Sequence, residues 1–437
     1  MFECVCLALV FVLMIYLIRR RVDVSYALVG GAVALGLLFG VRWAELPRGL
    51  GPSLVGIARN LGQAAIDRET LELVGLVLLI QFLGHELKHA ASLDRLMAAL
   101  RALLRDRRAA MAVAPAFVGL LPMPGGALFS APMVGELTSD LDLSPEDRTL
   151  INYWFRHVWE WTWPLYPGIL FASAIVRAPL GTTILAALPF TIGAIAIGIF
   201  WCLRRVKVPP GDAACAGAAS WRELFAAVWP VAVIILITAA LGAANLLKLP
   251  IGLPTQTALL VALALVNPLF LVVNRVAWRD VAKLARATLQ PSMIVLVFGV
   301  LAFGHMLDAY GAARELPRIF AGWGVPPLAL LFAVPLLVGL LTGYMPAAVG
   351  ICFPVLVPLI VEATAAGPAI HYGRMAFAYA GGLFGVLLSP VHLCLVLSRE
   401  YFKADFGRVY RGLFPLVALL ALVAVGVLVL WEAVGLR

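Results

Sequence analysis

Residues 109–138 read AAMAVAPAFVGLLPMPGGALFSAPMVGELT, and residues 326–362 read PPLALLFAVPLLVGLLTGYMPAAVGICFPVLVPLIVE. Prolines and glycines interrupt both apolar stretches, at residues 122–126 and 342–346. The apolar residues before the first interruption are too few to cross a bilayer core, which needs about 20 helical residues, and proline removes a backbone donor. Each stretch therefore predicts a re-entrant hairpin, in which two short helices enter and leave the membrane on the same side.

The composition indicates that these hairpins lie within a lipid bilayer. Of the 437 residues, 63% are hydrophobic and 13% are charged, and the mean hydropathy is +0.99. A soluble chain of this size does not bury so much apolar surface in one core. Apolar runs of about 20 residues that end at charges are typical of helices rather than of β-barrel strands. We therefore predict an all-α polytopic membrane protein of the cell inner (plasma) membrane, and not an enzyme.

The two hairpins belong to an internal repeat. A shift of 220 residues aligns 83–121 with 303–341 at ten identities in 39 positions, where so biased a composition gives roughly a tenth by chance. Further on, WPLY at 163–166 aligns with SPVH at 389–392. We predict a first repeat over 1–203, a cytoplasmic linker over 204–220 and a second repeat over 221–437, with interrupted helices at about 149–176 and 374–398.

The orientation of the repeats follows from the number of spans. Each half holds five predicted spans and one hairpin, and because five is odd the second half enters the membrane in the opposite sense. With the N-terminus outside, 22 of the 33 Lys and Arg residues fall in cytoplasmic loops, as the positive-inside rule requires. We therefore predict inverted repeats with ten spans, both termini outside the cytoplasm, and a first span that is not a cleaved signal peptide.

The four interruptions mark the predicted substrate site. In lipid, each unpaired N–H or C=O costs several kcal/mol unless protein or a hydrated cavity satisfies it. Converging helix N-termini present partial positive charge to an anion, while unwound carbonyls can hold Na⁺. We predict one midplane site formed by both hairpin tips and both interrupted helices. Its candidate substrate-binding residues are Pro122, Met123, Pro124, Gly125, Gly126, Ser130, Asn152, Arg156, His157, Pro164, Tyr166, Thr342, Gly343, Tyr344, Met345, Pro346, Gly381, Gly382, Ser389, Pro390 and His392.

The ionisable residues of the first interrupted helix indicate the chemistry. Arg156 can bind a carboxylate through paired hydrogen bonds, and Glu160 or His157 can carry a coupling proton. Arg156 and Glu160 are four residues apart, which predicts one helix face, where they can also simply neutralise each other. We predict a secondary active transporter of a small organic anion coupled to H⁺ or Na⁺, with no cofactor except Na⁺ as a possible coupling ion. A cation/proton antiporter that uses Glu160 is the first alternative.

A second alternative is a zinc intramembrane metallopeptidase. Residues 85–89 read HELKH, in which His85 and His89 can bind Zn²⁺ with Glu86 as the base. The aligned residues 305–309 read HMLDA and keep neither the acid nor the second histidine, so a helix end explains the shared part.

The six cysteines form no CxxC pair and are predicted to be small apolar residues, so no metal site is predicted. The net charge of +9 comes from the ends of apolar runs, which excludes a nucleic-acid domain.

Four motifs resemble a known group of carriers. They are MPGGALFSAP at 123–132, NYWFRHVWEWTWPLYPG at 152–168, LTGYMPAAVGICFP at 341–354 and LLSPVHLCLVLS at 387–398. With the predicted architecture they resemble the ion transporter superfamily, which includes gluconate, lactate, citrate and dicarboxylate permeases. More narrowly they resemble the ten-span family called domain of unknown function 401. The resemblance implies a homodimer in which each copy has a scaffold and a mobile transport domain.

Overall fold

The computed structural model describes residues 2–41, 43–45, 47–104, 106–120, 125–204, 206–208, 221–312, 322, 324–365 and 367–436. These residues form mainly α-helices. The helices of the first half are α1 (Phe2–Arg19), α2 (Val24–Gly40), α3 (Leu50–Ile66), α4 (Arg68–His89), α5 (Ser92–Leu103), α6 (Arg107–Gly119), α7 (Ala127–Leu137), α8 (Pro145–Arg156), α9 (Pro167–Val176) and α10 (Leu180–Gly198). A 3-10 turn (Trp43–Glu45) follows α2, and a π-helical turn (Ile199–Leu203) continues α10.

The second half has the same helical character. Its helices are α11 (Trp221–Leu246), α12 (Thr255–Val273), α13 (Trp278–Thr288), α14 (Pro291–Tyr310), α15 (Pro327–Thr342), α16 (Met345–Ile360), α17 (Tyr372–Leu387), α18 (Leu393–Phe402) and α19 (Phe406–Val434). A small antiparallel hairpin of β1 (Val361–Thr364) and β2 (Gly367–Ile370) joins α16 to α17, with Val361 paired to Ile370.

The long helices have the length and surface of membrane spans. Within the described residues, six are long and apolar enough to cross a bilayer: α4, α10 with its π-helical turn, α11, α12, α14 and α19. Their outer faces carry large apolar side chains in the open, such as Leu236, Val272 and Leu422, which a protein in water avoids. The prediction of a helical multi-pass membrane protein is confirmed at this level. The count of ten spans remains a prediction.

Each half contains a helix pair, then an interrupted helix, then a long apolar helix. These are α6/α7, α8/α9 and α10 in the first half, and α15/α16, α17/α18 and α19 in the second. The predicted bounds of the pairs and interrupted helices differ from the observed bounds by at most four residues. Prolines and glycines mark these segments in the sequence because they cluster at the interruptions, although single prolines such as Pro115 and Pro335 lie inside helices.

Equivalent contacts hold the pair against the interrupted helix in both halves. A Cβ on Gly119 would collide with the backbone carbonyl oxygen of Arg156, and a Cβ on Gly339 with that of Gly382. Glycine therefore permits the two backbones to touch. The polar contacts nearby also correspond, since Trp163 Nε1 donates to the Leu120 carbonyl at 2.8 Å and Ser389 Oγ donates to the Leu340 carbonyl at 2.7 Å.

The second arm of each pair packs against the opposite half. Helix α7 contacts α18, and helix α16 contacts α9. Buried hydrogen bonds also join the interrupted helices of the two halves. Asn152 Nδ2 donates to Ser398 Oγ at 2.9 Å, and Tyr153 Oη donates to the Leu387 carbonyl at 2.9 Å. As a result, the interruptions of both halves lie together at the centre of the molecule.

The first helix pair is also tied together at its outer end. Arg107, at the start of α6, donates from Nε to the Leu137 carbonyl at 2.6 Å and from Nη1 to Asp140 Oδ2 at 3.0 Å. The hydrogen bond from Arg107 stabilises the ionised carboxylate and lowers the pKa of Asp140, which lies in the exposed loop after α7. The two arms are thus fixed at one end and open towards the cavity at the other.

Four smaller elements were not predicted from the sequence. Helices α3, α5 and α13 and the β1–β2 hairpin fall in segments that the hydropathy pattern leaves as loops. Each of these helices has mostly apolar residues on one face and polar residues on the other, so no continuous apolar run marks it in the sequence. Their presence does not alter the order of the membrane helices.

We expect Gly339→Ala to destabilise the protein, because the added methyl group must push α15 away from α17. Overpacking of this kind costs about 1–3 kcal/mol. Gly426→Ala is the matched control, since no described atom lies within 4 Å of a Cβ there. Thermal unfolding of the purified protein in detergent measures both. Equal melting temperatures for the two variants would contradict the close approach of the backbones.

Candidate functional site

A cavity of about 210 Å³ lies where the interrupted helices meet. Its wall takes residues from both helix pairs, from both interrupted helices, and from α4 and α14. The lining residues are Val77, Ile80, Gln81, Gly125, Arg156, Glu160, Tyr166, Pro167, Gly168, Met293, Gly343, Tyr344, Met345, Pro346, Tyr379, Val386, His392, Leu393 and Cys394. The cavity takes residues from both halves, and its use as a substrate site stays a prediction.

Four of the described helices begin at this cavity. Helices α7, α9, α16 and α18 start beside the lining residues Gly125, Pro167, Met345 and Leu393. Among the described residues, no side chain caps any of these four starts. Side chains cap α2, α6, α8 and α19, while other described helices such as α10, α12 and α15 also start without a side-chain cap. Uncapped N–H groups carry the positive end of each helix dipole, so the cavity wall attracts negative charge.

Several backbone carbonyls near the interruptions, unlike the four helix starts, have side-chain partners that donate hydrogen bonds to them. The donor and acceptor pairs are Tyr166 Oη to Gly119, Tyr379 Oη to Glu160, Tyr153 Oη to Leu387 and Tyr410 Oη to Leu388. Protein donors therefore satisfy these carbonyl oxygens, while the positive ends of four helix dipoles lie at the cavity. Such a polarity suits an anion better than a cation.

Arg156 places a full positive charge in this wall. It is the last residue of α8, its side chain is only 2% exposed, and Nη1 donates to Tyr166 Oη at 3.3 Å. A Cβ on Gly126 would lie 2.7 Å from Arg156 Nε. The guanidinium therefore rests on the bare backbone at the start of α7, and only glycine leaves it room.

Glu160 lines the same cavity, but the predicted helical relation to Arg156 was wrong. Helix α8 ends at Arg156, and residues 157–162 form turns, so the two side chains do not lie on one helix face. No proline or glycine occurs between 152 and 163, which is why the sequence did not show this helix end. Glu160 is 9% exposed, and its Oε1 lies 3.8 Å from His157 Nε2.

Several other predicted residues do not line the cavity but support the residues that do. Asn152 accepts from Ser130 Oγ at 2.6 Å and donates to the Ala127 carbonyl at 3.1 Å, which fixes α7 to α8. Thr342 donates to the Val338 carbonyl at 2.8 Å. The backbone of Gly381 approaches the Phe332 carbonyl, while Gly382 lies against Met345.

The remaining predicted residues divide into three groups. His157 is buried against His392, and Pro164 is buried in the turn before α9. Ser389 is used in the contact with Leu340, and Pro390 is exposed on the surface. Pro122, Met123 and Pro124 lie outside the described residues.

The sequence missed Cys394 and Tyr379 as residues of the wall. Tyr379 lies one helical turn before the predicted residue Gly382, and Cys394 lies two residues after the predicted residue His392. This closeness in sequence was the signal that could have identified both. The ligand atoms of Cys394, His157 and His392 lie within 4.8 Å of one another. The prediction that the cysteines are merely small apolar residues describes Cys352 within α16, but it does not describe Cys394.

The HELKH motif has a different environment. Glu86 is buried, and neither of its carboxylate oxygens has a hydrogen-bond partner among the described residues, whereas His89 is exposed. Within the described side chains, His157, His392 and Cys394 are the residues that converge as possible metal ligands, and His85 and His89 are not part of that group.

A family model described as Protein of unknown function (DUF401) matches residues 5–430. The chain belongs to the DUF401 family. The prediction from the four motifs is confirmed at the level of this family, and the wider resemblance to the ion transporter superfamily remains a prediction. No curated protein matches the sequence.

The match places the whole cavity of this DUF401 chain within the family region, since every lining residue lies between 5 and 430. The site is therefore built from the part of the chain that defines the family. It is not an added loop or a terminal extension.

We expect a cysteine at Leu393 to react with a small polar thiol reagent, because a hydrated wall supports the reactive thiolate. Leu422→Cys is the control, since Leu422 is 69% exposed but lies on the apolar outer face of α19. Both are made on a background without native cysteines, in membranes. Fast labelling at Leu393 and slow labelling at Leu422 are expected. Equal rates at the two positions would show that the cavity is no wetter than the outer face.

Proposed function

We propose that this DUF401 protein is a secondary active transporter of a small organic anion, coupled to H⁺ or Na⁺. One observation carries the proposal: four uncapped helix N-termini and the buried Arg156 converge on a single cavity shared by both halves. A permanent positive wall in a low-dielectric interior needs an anion to balance it. A bound carboxylate provides that balance and accepts hydrogen bonds from N–H donors.

The size of the cavity limits the substrate. The cavity is compact, with a volume of about 210 Å³. This volume suits a carboxylate with a short carbon chain. The apolar part of such a molecule fits beside Ile80, Met293 and Val386, which line the side of the cavity that lacks charge.

Alternating access follows from inverted repeats and re-entrant hairpins, which are part of this proposal. The equivalent contacts of Gly119 and Gly339, and of Trp163 and Ser389, support a structural repeat. We propose that the pairs α6/α7 and α15/α16 are re-entrant and enter from opposite sides. A movement of the four interrupted segments against the long helices then opens the cavity to either side in turn.

The coupling ion has a candidate binding residue in the same wall. Glu160 lines the cavity, and Oε1 lies 3.8 Å from His157 Nε2, so a proton can be held beside the substrate. The same position of Glu160 supports the second candidate, a cation/proton antiporter. We also propose the plasma membrane and, from the basic residues of the predicted cytoplasmic loops, termini outside the cytoplasm. A homodimer is what the resemblance to other carriers implies.

Purified protein in liposomes distinguishes these functions. Uptake of a radiolabelled short carboxylate, driven by an imposed H⁺ or Na⁺ gradient, is the expected result. Cation exchange that needs no anion would replace the proposal with the antiporter. Proteolysis that needs zinc and stops in His85→Ala would replace it with the metallopeptidase. A thermal-shift screen selects the carboxylate, because a ligand at 100 times its Kd stabilises the protein by about 2.7 kcal/mol.

We expect Arg156→Lys to weaken substrate binding although the charge is kept, because lysine cannot form the paired hydrogen bonds of a guanidinium. Loss of one charge-assisted hydrogen bond, worth about 1.5–3 kcal/mol, corresponds to about a 10- to 100-fold rise in the Kd. Arg374→Lys is the control, since Arg374 pairs with Glu432 away from the cavity. The ligand-induced thermal shift measures both.

The double variant Arg156→Gln, Glu160→Gln tests the opposite interpretation, in which the two residues only neutralise each other. The carboxylate-binding role predicts no transport in this variant, because the guanidinium is gone. Transport restored to the wild-type level would contradict that role.

A further inference from the structure

Two histidines and a cysteine meet at the edge of the cavity, and they come from both halves of the chain. His157 follows α8, while His392 precedes α18 and Cys394 lies in its first turn. Their ligand atoms lie within 4.8 Å of one another, and all three side chains are largely enclosed by protein. The transport proposal uses His157 only as a possible proton carrier and gives Cys394 no role.

The hydrogen bonds of the two imidazoles determine where their lone pairs point. His157 Nδ1 lies 2.5 Å from the Tyr153 carbonyl oxygen, and His392 Nδ1 lies 2.8 Å from the Gly343 carbonyl oxygen. A carbonyl oxygen only accepts, so each Nδ1 carries the hydrogen and donates it. In the neutral rings, both Nε2 atoms then present lone pairs, and these two atoms face each other at 3.0 Å.

Two facing lone pairs repel unless a positive species lies between them. Nδ1–H donation to a backbone carbonyl is the usual outer contact of a metal-binding histidine, because it orients the ring and raises the basicity of Nε2. Here both rings make it. Tetrahedral Zn²⁺ at about 2.05 Å from each nitrogen needs the nitrogens about 3.3 Å apart, close to the observed separation.

The cysteine favours a metal ion over a shared proton. Two imidazoles and a thiolate form a donor set that suits Zn²⁺ and related borderline-soft ions. Glu160 Oε1, 3.8 Å from His157 Nε2, can move in as the fourth ligand. We propose that His157, His392 and Cys394, with Glu160, bind one divalent transition-metal ion of the Zn²⁺ type.

The charges around the cluster agree with such an ion. On binding, the Cys394 thiol releases its proton to water, and the thiolate and the Glu160 carboxylate together balance the 2+ charge. The charge of Arg156 then remains available for a substrate anion. Because the ligands come from both halves, the ion ties the turn after α8 to the start of α18. Metal binding is measured without transport, so it can fail while the proposed function holds. With the ion bound, Glu160 and His157 are ligands and do not carry the coupling proton, which leaves Na⁺ as the coupling ion of the proposed function.

The experiment uses the full-length chain with an affinity tag that contains no histidine, purified in detergent and stripped with a chelator. After dialysis against buffered Zn²⁺, elemental analysis is expected to find one zinc per chain. His157→Ala, His392→Ala and Cys394→Ser are each expected to weaken binding by about a hundredfold or more. His371→Ala and Cys352→Ser are the controls, since both residues are buried but lie outside the cluster, and both should keep the metal.

Cobalt substitution separates loss of a ligand from loss of the fold. Wild-type protein with Co²⁺ is expected to show the strong visible bands of a tetrahedral ion and a thiolate-to-cobalt charge-transfer band in the near ultraviolet. Cys394→Ser should lose the charge-transfer band while its elution profile stays that of the wild type. Protein without stoichiometric zinc, or zinc that persists in all three variants, would overturn the site. The first outcome would assign the facing nitrogens to a shared proton instead.

Discussion

A helix that stops inside a membrane must satisfy its end groups, because lipid offers no water to do so. The two interrupted helices and the two helix pairs create this problem repeatedly around one cavity. The protein solves it asymmetrically. Tyrosines donate to carbonyls near the interruptions, while four helices start at the cavity without side-chain caps among the described residues. The positive potential of the cavity wall follows from this arrangement.

The two halves share a framework but not a chemistry. Tyr166 and His392 occupy aligned positions, and each donates to a carbonyl of the preceding helix pair. The first half adds Arg156 and Glu160, while the aligned part of the second half has Gly381 and Gly382. Close packing of backbones is thus common to both halves, whereas fixed charge is concentrated in one. A substrate held here is oriented by this difference.

The sequence predicted those parts of the molecule that depend on local chemistry. Helix pairs and interrupted helices were found because prolines and glycines cluster at their breaks, and the cavity residues of both halves were found because they flank these breaks. The end of α8 at Arg156 was not found, since no helix-breaking residue marks it. The approach of Cys394 to His157 was also missed, because it depends on how distant segments of the two halves pack together.

The second helix of each pair packs against the opposite half, and this has a consequence for the synthesis of the protein. Helix α7 ends at Leu137, but its partner α18 begins at Leu393, about 250 residues later. At about 5–20 residues per second, a ribosome needs about 10–50 s to cover this interval. During that time the first helix pair has the positive starts of its helices and its bare glycines without their final neighbours. The packing of the first helix pair is therefore completed only after most of the second half has been synthesised.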